Sequence, residues 1–149
     1  MATDRHRCPQ GLSPEGRERT RVILDTNFLF IPIQFSVDIF EELERVVGGS
    51  VQCVVPSAVV RELMLISEDS KPSFKREVDF AISLIKRCEQ VDTAPRPGET
   101  VDEVIVRFAE EWGCLVATND SDLRKLLRKK GVPVVYLRQR SHLEVDGII

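Results

Sequence analysis

Four carboxylates stand in this sequence at places where solvation alone is a poor explanation for them. In "RVILDTNFLF" the apolar run Val22, Ile23, Leu24 is broken by Asp25, Thr26 and Asn27 before Phe28, Leu29 and Phe30 resume it. Asp25 is therefore either a turn-former at the end of a buried strand or an ion-binding group held where that strand stops. Glu62 lies in "PSAVVRELMLIS", where helical spacing gives it Val59, Leu65 and Ile66 as neighbours. A carboxylate on such an apolar stripe must take up a proton, find a cationic partner such as Arg61, or bind a metal ion.

The other two acids open helices. "TVDE" reads as a capping box in which Glu103 bonds back to the Thr100 amide, which gives Glu103 a structural role. Asp102 needs no such role, and its neighbours on the same face are Ile105, Val106 and Ala109. In "TNDSDL", Asn119 or Asp120 caps the following helix and Asp122 complements its dipole. Each acid alone has a bland reading as a cap or a paired surface charge. Taken together, Asp25, Glu62, Asp102 and Asp120 all fall at strand ends or early helix turns, where they can share one pocket. Such a cluster repels itself unless a hard divalent cation neutralises it, and carboxylate with water is the ligand set for Mg²⁺ or Mn²⁺. Neither histidine competes, since His6 lies near the N-terminus and His142 near the C-terminus, and no phosphate-binding glycine loop is present.

The elements that must position these acids alternate. "RVILD", "VQCVVP", "CLVAT" and "VPVVYL" read as strands that are apolar throughout, and "EQVDT" as a short edge strand. Between them, "SVDIFEELERVVGG", a segment from about Ser57 as N-cap to Ile66, "FKREVDFAISLIKRC", "TVDEVIVRFAEEWG" and "DLRKLLRKKG" carry helical periodicity. "SEDSKPS" and "APRPGE" read as loops. Strands without polar alternation imply a mainly parallel sheet covered on both faces, hence a three-layer α/β/α domain with its ligands beyond the carboxyl ends of the strands. We expect one such domain over residues 21–149, preceded by a polar, aperiodic leader over residues 1–20.

Composition narrows the class. No apolar run approaches the ~20 residues that span a bilayer, and the first residues lack a signal-peptide core, so the expectation is a cytoplasmic protein without a membrane partner. The four cysteines are scattered, with no paired spacing for zinc, and read as core residues in a reducing compartment. The net charge of −3 offers no global attraction to nucleic acid. A local one exists: Arg124, Lys125, Arg128, Lys129, Lys130, Arg138 and Arg140 are seven cations against the single Asp122 across residues 121–140. They form either a solvated helix face or an RNA-binding surface.

Together, "ILDTNFLF", "VVPSAVVRELMLI", "TVDEVIVRFAEEWGCLVATNDSDLRKLL" and "GVPVVYL" resemble the PIN-domain nucleases over nearly all of residues 21–138. The ordered set of D-T-N, a helical Glu, D-x-x-I with A-x-x-x-G, and T-N-D-x-D carries that resemblance. It implies Asp25, Glu62, Asp102 and Asp120 as acidic catalytic and metal-site residues, with Asp122 as a fifth. Thr26, Asn27 and Asn119 would support them. It further implies a Mg²⁺- or Mn²⁺-dependent endoribonuclease acting on single-stranded RNA, with one or two ions per site. RNA would be gripped by Arg124, Lys125, Arg128, Lys129, Arg138 and Arg140. Two branches fit, toxins partnered by an antitoxin and ribosomal RNA processing nucleases, and the terminal "GVPVVYLRQRSHLEV" looks more like the second, in its archaeal form. A homodimer is compatible with either. A non-catalytic RNA-binding module in ribosome assembly is the binding-protein alternative. A haloacid-dehalogenase-type phosphatase is disfavoured, because it requires a second Asp where this chain has Asn27.

Overall fold

A computed structural model describes residues 19–149 of the chain. The strands are β1 (Thr20–Leu24), β2 (Val51–Pro56), β3 (Glu89–Val91), β4 (Leu115–Ala117), β5 (Val134–Arg138) and β6 (His142–Asp146). The helices are α1 (Ile31–Phe35), α2 (Ile39–Val47), α3 (Ser57–Asp69), α4 (Pro72–Ile85), α5 (Val101–Trp112) and α6 (Ser121–Lys129), with a 3-10 turn at Thr26–Phe30. None of the described helices is long and apolar enough to cross a membrane. The proposed leader lies outside the described residues except for its last two, and Thr20 already belongs to β1.

The strands form one sheet in the order β3-β2-β1-β4-β5-β6, parallel except for β6, which runs antiparallel to β5. Val22, Ile23 and Leu24 of β1 are wholly buried, as a central strand covered on both faces requires. After β3 the chain crosses to the other side of β1, so the order reverses between β1 and β4. That reversal opens a crevice at the carboxyl ends of these two strands, the place where open parallel sheets bind ligands. Asp25 follows β1 and Asp120 follows β4, so both border it.

Helix ends follow local chemistry. The Asp38 side chain caps α2 by accepting from the Phe40 and Glu41 amides, and Gly48 ends it with φ 81°. Thr100 and Glu103 form the expected capping box at α5. Helix α1 is not foreshadowed in the sequence, α2 starts at Ile39 rather than Ser36, and three further details differ from expectation. Ser57 is the first residue of α3 rather than its cap, which is Pro56. Helix α3 runs on to Asp69, so most of the expected "SEDSKPS" loop is helical and only Ser70 and Lys71 separate it from α4. Strand β6 was not expected, because His142, Glu144 and Asp146 alternate with only Leu143 and Val145 after a tight turn.

That edge strand is docked by side chains. The Leu143 side chain is fully buried, its amide donates to Glu42 Oε1 at 3.0 Å, and its carbonyl accepts from Arg45 at 2.9 Å. Helix α2 thereby satisfies backbone groups that a bare edge would leave open to pairing. The same contacts hold the Glu42 carboxyl down to about 2, with the Arg45 hydrogen bond the largest cause. If β6 is part of the core, Leu143→Ala should lower unfolding free energy by about 2–5 kcal/mol in urea titration, as for a buried leucine. Leu65→Ala, at a site 55% exposed, should change it far less. Equal effects would contradict the docking of β6.

Candidate metal centre

The site begins with Asp25, only 4% exposed although it is charged in its ordinary form. Three donors surround its carboxylate. The Thr26 amide donates to Oδ1 at 2.8 Å, and the Thr118 hydroxyl and Asn27 amide donate to Oδ2 at 2.7 and 3.0 Å. The Asp25 amide itself donates to the Ala117 carbonyl at 3.0 Å, continuing the β1–β4 ladder to the residue that bears the acid. The supporting groups are in turn fixed. Asn27 Oδ1 accepts from the Asn119 amide at 3.0 Å, Asn119 Oδ1 accepts from the Leu137 amide at 3.0 Å, and Thr118 Oγ1 accepts from the Asp120 amide at 3.1 Å. Thr26, Asn27 and Asn119 thus occupy supporting positions. Thr118 belongs with them and was not singled out from the sequence, where a threonine ending a strand reads simply as a good strand former.

Glu62, on α3, accepts from the Thr26 hydroxyl at 2.5 Å and is not held by Arg61. Asp120 uses Oδ1 to cap α6 through the Asp122 and Leu123 amides, at 2.9 and 3.2 Å. Asp102 lies in the first turn of α5. These four acids, with Thr26, Asn27, Phe30 and Ile66, line a single cavity of ≈ 400 Å³, and no lysine or arginine is in that lining. Asp122 does not line it; it is exposed on the first turn of α6. Among the described residues, no group of three or more His, Cys, Asp or Glu side chains is already drawn together to hold an ion. The carboxylates are therefore arrayed around a cavity rather than collapsed on one point.

Their electrostatics reflect that arrangement. Burial pushes the Asp25 carboxyl above its usual value, the Thr118 and Thr26 hydrogen bonds pull it back, and Glu62 and Asp120 push it up again. Asp102 is pushed up to about 6, first by burial and then by repulsion from Asp25, Asp120 and Glu62. An oxygen-only donor set carrying unneutralised negative charge fits a hard divalent cation, and it fits no soft metal.

The cations divide into two groups. Arg124 and Arg128 both donate to the Asp146 carboxylate, at 2.9 and 3.2 Å, and Arg124 also stacks on the Tyr136 ring with its guanidinium carbon 3.7 Å from the centroid. Arg138 pairs with Glu144 at 3.6 Å. Lys125, Lys129 and Arg140 have no anionic partner among the described residues. Ser121, Arg124, Lys125, Arg128, Lys129 and Asp146 line a groove of ≈ 660 Å³ that starts one residue beyond Asp120.

Raised acids give a signed pH dependence. Between the usual carboxylate range and about 6, Asp102 binds more protons in the folded state than in the unfolded chain, so it makes the metal-free protein more stable as pH falls, and the upward shift of Asp25 acts in the same direction. Glu42 and Glu99, both lowered to about 2, lose their contribution only as pH falls below the ordinary glutamate range. The melting temperature in EDTA should therefore rise from pH 7 to pH 5, and Asp102→Asn should shrink that rise. A wild-type melting temperature that falls over this interval, or a variant with an undiminished rise, would contradict the repulsion.

Known proteins share this fold. The PIN like domain family model matches residues 22–140. Ribonuclease VapC4 of Methanocaldococcus jannaschii is 31% identical over 132 residues, 87% of this chain and 98% of that protein. The rRNA-processing protein utp23 of Schizosaccharomyces pombe is 31% identical over 126 residues, 83% of this chain but 47% of its own length. Among solved structures, the PIN domain endonuclease Utp24 superposes with a TM-score of 0.73 at 26% identity, covering 87% of this chain and 92% of that one. With a six-stranded, mostly parallel sheet and four acids around the crevice at its switch point, the chain belongs to the PIN-like domain family.

Proposed function

We propose that this protein is a divalent-metal-dependent endoribonuclease. The observation that carries the reading is the cavity in which Asp25, Glu62, Asp102 and Asp120, from four separate segments, meet without a neutralising cation. These four residues would hold Mg²⁺ or Mn²⁺, with Asp122 outside the cavity and no first claim on the ion. When bound, such an ion supplies an activated water and stabilises the leaving oxygen of an in-line phosphodiester displacement. The chain's own residues do the positioning. Thr118, Asn27 and the Thr26 amide hold the Asp25 carboxyl in place at the cavity wall, and the Thr26 hydroxyl fixes Glu62. Phe30, stacked on Phe74 at 5.6 Å, and Ile66 give the cavity an apolar wall.

RNA is the substrate this reading assigns, supported by relatives named as ribonucleases and as rRNA-processing proteins. Precursor ribosomal RNA is the first reading for the natural target. A toxin-type ribonuclease restrained by an antitoxin is the second, supported by a VapC4 match that extends over 98% of that protein. Lys125 and Lys129, with Arg140, would carry the phosphate contacts, while Arg124, Arg128 and Arg138 already neutralise acids of this chain.

Asp25→Asn should reduce cleavage of pooled cellular RNA in Mn²⁺ to background while the far-ultraviolet circular dichroism stays that of the wild type. Wild-type cleavage by the folded variant would sink the assignment. The double variant Lys125→Ala, Lys129→Ala should weaken single-stranded RNA binding whatever the sequence and reduce the slope of log K against log salt by about 1.4, at ~0.7 per lost phosphate contact. An unchanged slope would return these lysines to a solvated helix face.

A further inference from the structure

A second cavity opens beside the acidic one, at the carboxyl ends of β2 and β3. It has a volume of ≈ 400 Å³ and is lined by Ser57, Val60, Arg61, Gln90, Val91 and Asp92. Helix α3 is the shared wall: Arg61 faces this cavity and the next residue, Glu62, faces the acidic one. The two recesses are therefore separated by about the 100° that consecutive helical residues subtend.

Ser57 and Asp92 meet within it, while one Asp92 oxygen, Arg61 and Gln90 are left open to a ligand. Asp92 Oδ1 accepts from the Ala94 amide at 3.0 Å and faces the Ser57 hydroxyl at 3.5 Å, whereas Oδ2 has no partner among the described residues. Ser57 is tied in turn to Thr93, its hydroxyl accepting from the Thr93 amide at 3.0 Å and lying 3.0 Å from the Thr93 hydroxyl. Thr93 is buried, and its carbonyl accepts from Arg107, which Glu99 clamps at 2.8 Å. The Asp92 carboxylate thus projects from a braced turn. Arg61 and Gln90 are exposed and have neither an ion pair nor a side-chain hydrogen bond among the described residues. Val60 and Val91 supply an apolar floor.

An oriented carboxylate accepts only, an amide both donates and accepts, and a guanidinium brings charge and a flat face. Single-stranded RNA is read by unstacked bases whose Watson–Crick edges meet such groups. Guanine alone among the four bases presents two adjacent donors, N1–H and the N2 amino group, next to an acceptor, O6. We propose that this cavity is a guanine-reading subsite for a nucleotide flanking the scissile phosphate. Asp92 accepts from N1–H and N2–H, Gln90 donates to O6, and Arg61 meets the nucleotide's phosphate. The proposal rests on the acidic cavity being the place of RNA cleavage; the recognition itself needs no metal.

The test has two arms that fail separately. Metal-free protein is titrated with GMP, AMP, CMP and UMP, and cut ends are mapped on a randomised RNA pool in Mn²⁺. The wild type should bind GMP at least about fivefold more tightly than the other three, the lower end of discrimination by a good bidentate contact. Its cuts should show guanine enriched at one fixed offset. Asp92→Asn, which keeps the shape and the Ala94 contact, should remove both preferences while leaving total cleavage in place. Arg61→Ala should weaken all four nucleotides alike. Equal affinity of the wild type for the four, or a guanine preference that survives Asp92→Asn, overturns the subsite. Selective GMP binding by a protein that cuts no RNA upholds the subsite and overturns the nuclease reading.

Discussion

Burying the carboxylate of Asp25 at the end of the central strand is the constraint from which the site is built. Desolvation alone would neutralise that acid or expel it from the core. Three donors oppose this, at 2.7, 2.8 and 3.0 Å, and each comes from backbone or side chain fixed by another element. Thr118 ties the acid to β4 and also receives the Asp120 amide. Asn27 receives the Asn119 amide, and Asn119 receives an amide of β5. One network of short hydrogen bonds therefore sets the spacing of three strands at their carboxyl ends and aims two of the four acids. Removing the acid would leave the Thr26 amide and the Thr118 hydroxyl without this acceptor, while Asn27 keeps a longer contact to Thr118 at 3.4 Å, so fold and site share the same groups.

The way charge is treated elsewhere in the molecule gives the acidic cavity its meaning. Glu99 is clamped by Arg107, Glu42 by Arg45 and the Leu143 amide, and Asp146 by Arg124 and Arg128. In each case a carboxylate meets a cation, and its carboxyl falls below its usual value. At the crevice the pattern reverses: the lining holds four acids and no cation, and Asp25 and Asp102 rise. That contrast is what the proposed cation site rests on: three acids elsewhere are clamped by arginines, and these four are not. On the basic surface, Arg124 and Arg128 balance Asp146, and the free charge lies mainly on Lys125 and Lys129, each next to one of them.

Much of this was legible in the sequence because acids on apolar stripes violate the pattern around them. Asp25, Glu62 and Asp102 were visible as such violations, and Asp120 from its place after an apolar strand; the alternation of strand and helix then put them at one end of a sheet. Residues whose role depends on a distant partner were not legible. Thr118 matches an ordinary strand end until Asp25 is seen beside it. Ser57 has the composition of an N-cap, but its hydroxyl serves Thr93, 36 residues away. Arg124 and Arg128 count as free cations until β6, itself too short and polar to announce itself, brings Asp146 between them. The polar run Ser67, Glu68, Asp69 reads as a loop, yet it continues α3 as an exposed final turn, where polarity and helix are compatible.

The central claim, that the four carboxylates await a divalent cation, is tested most directly by calorimetric titration of Mn²⁺ into metal-free protein at pH 6 in two buffers of different ionisation enthalpy. Because Asp102 is pushed up to about 6, ion binding should displace protons at this pH, and the apparent heat should depend on the buffer. The account predicts saturable binding with proton release in the wild type, and loss of both in Asp25→Asn. Identical isotherms for the two proteins, or no binding by the wild type, would contradict it.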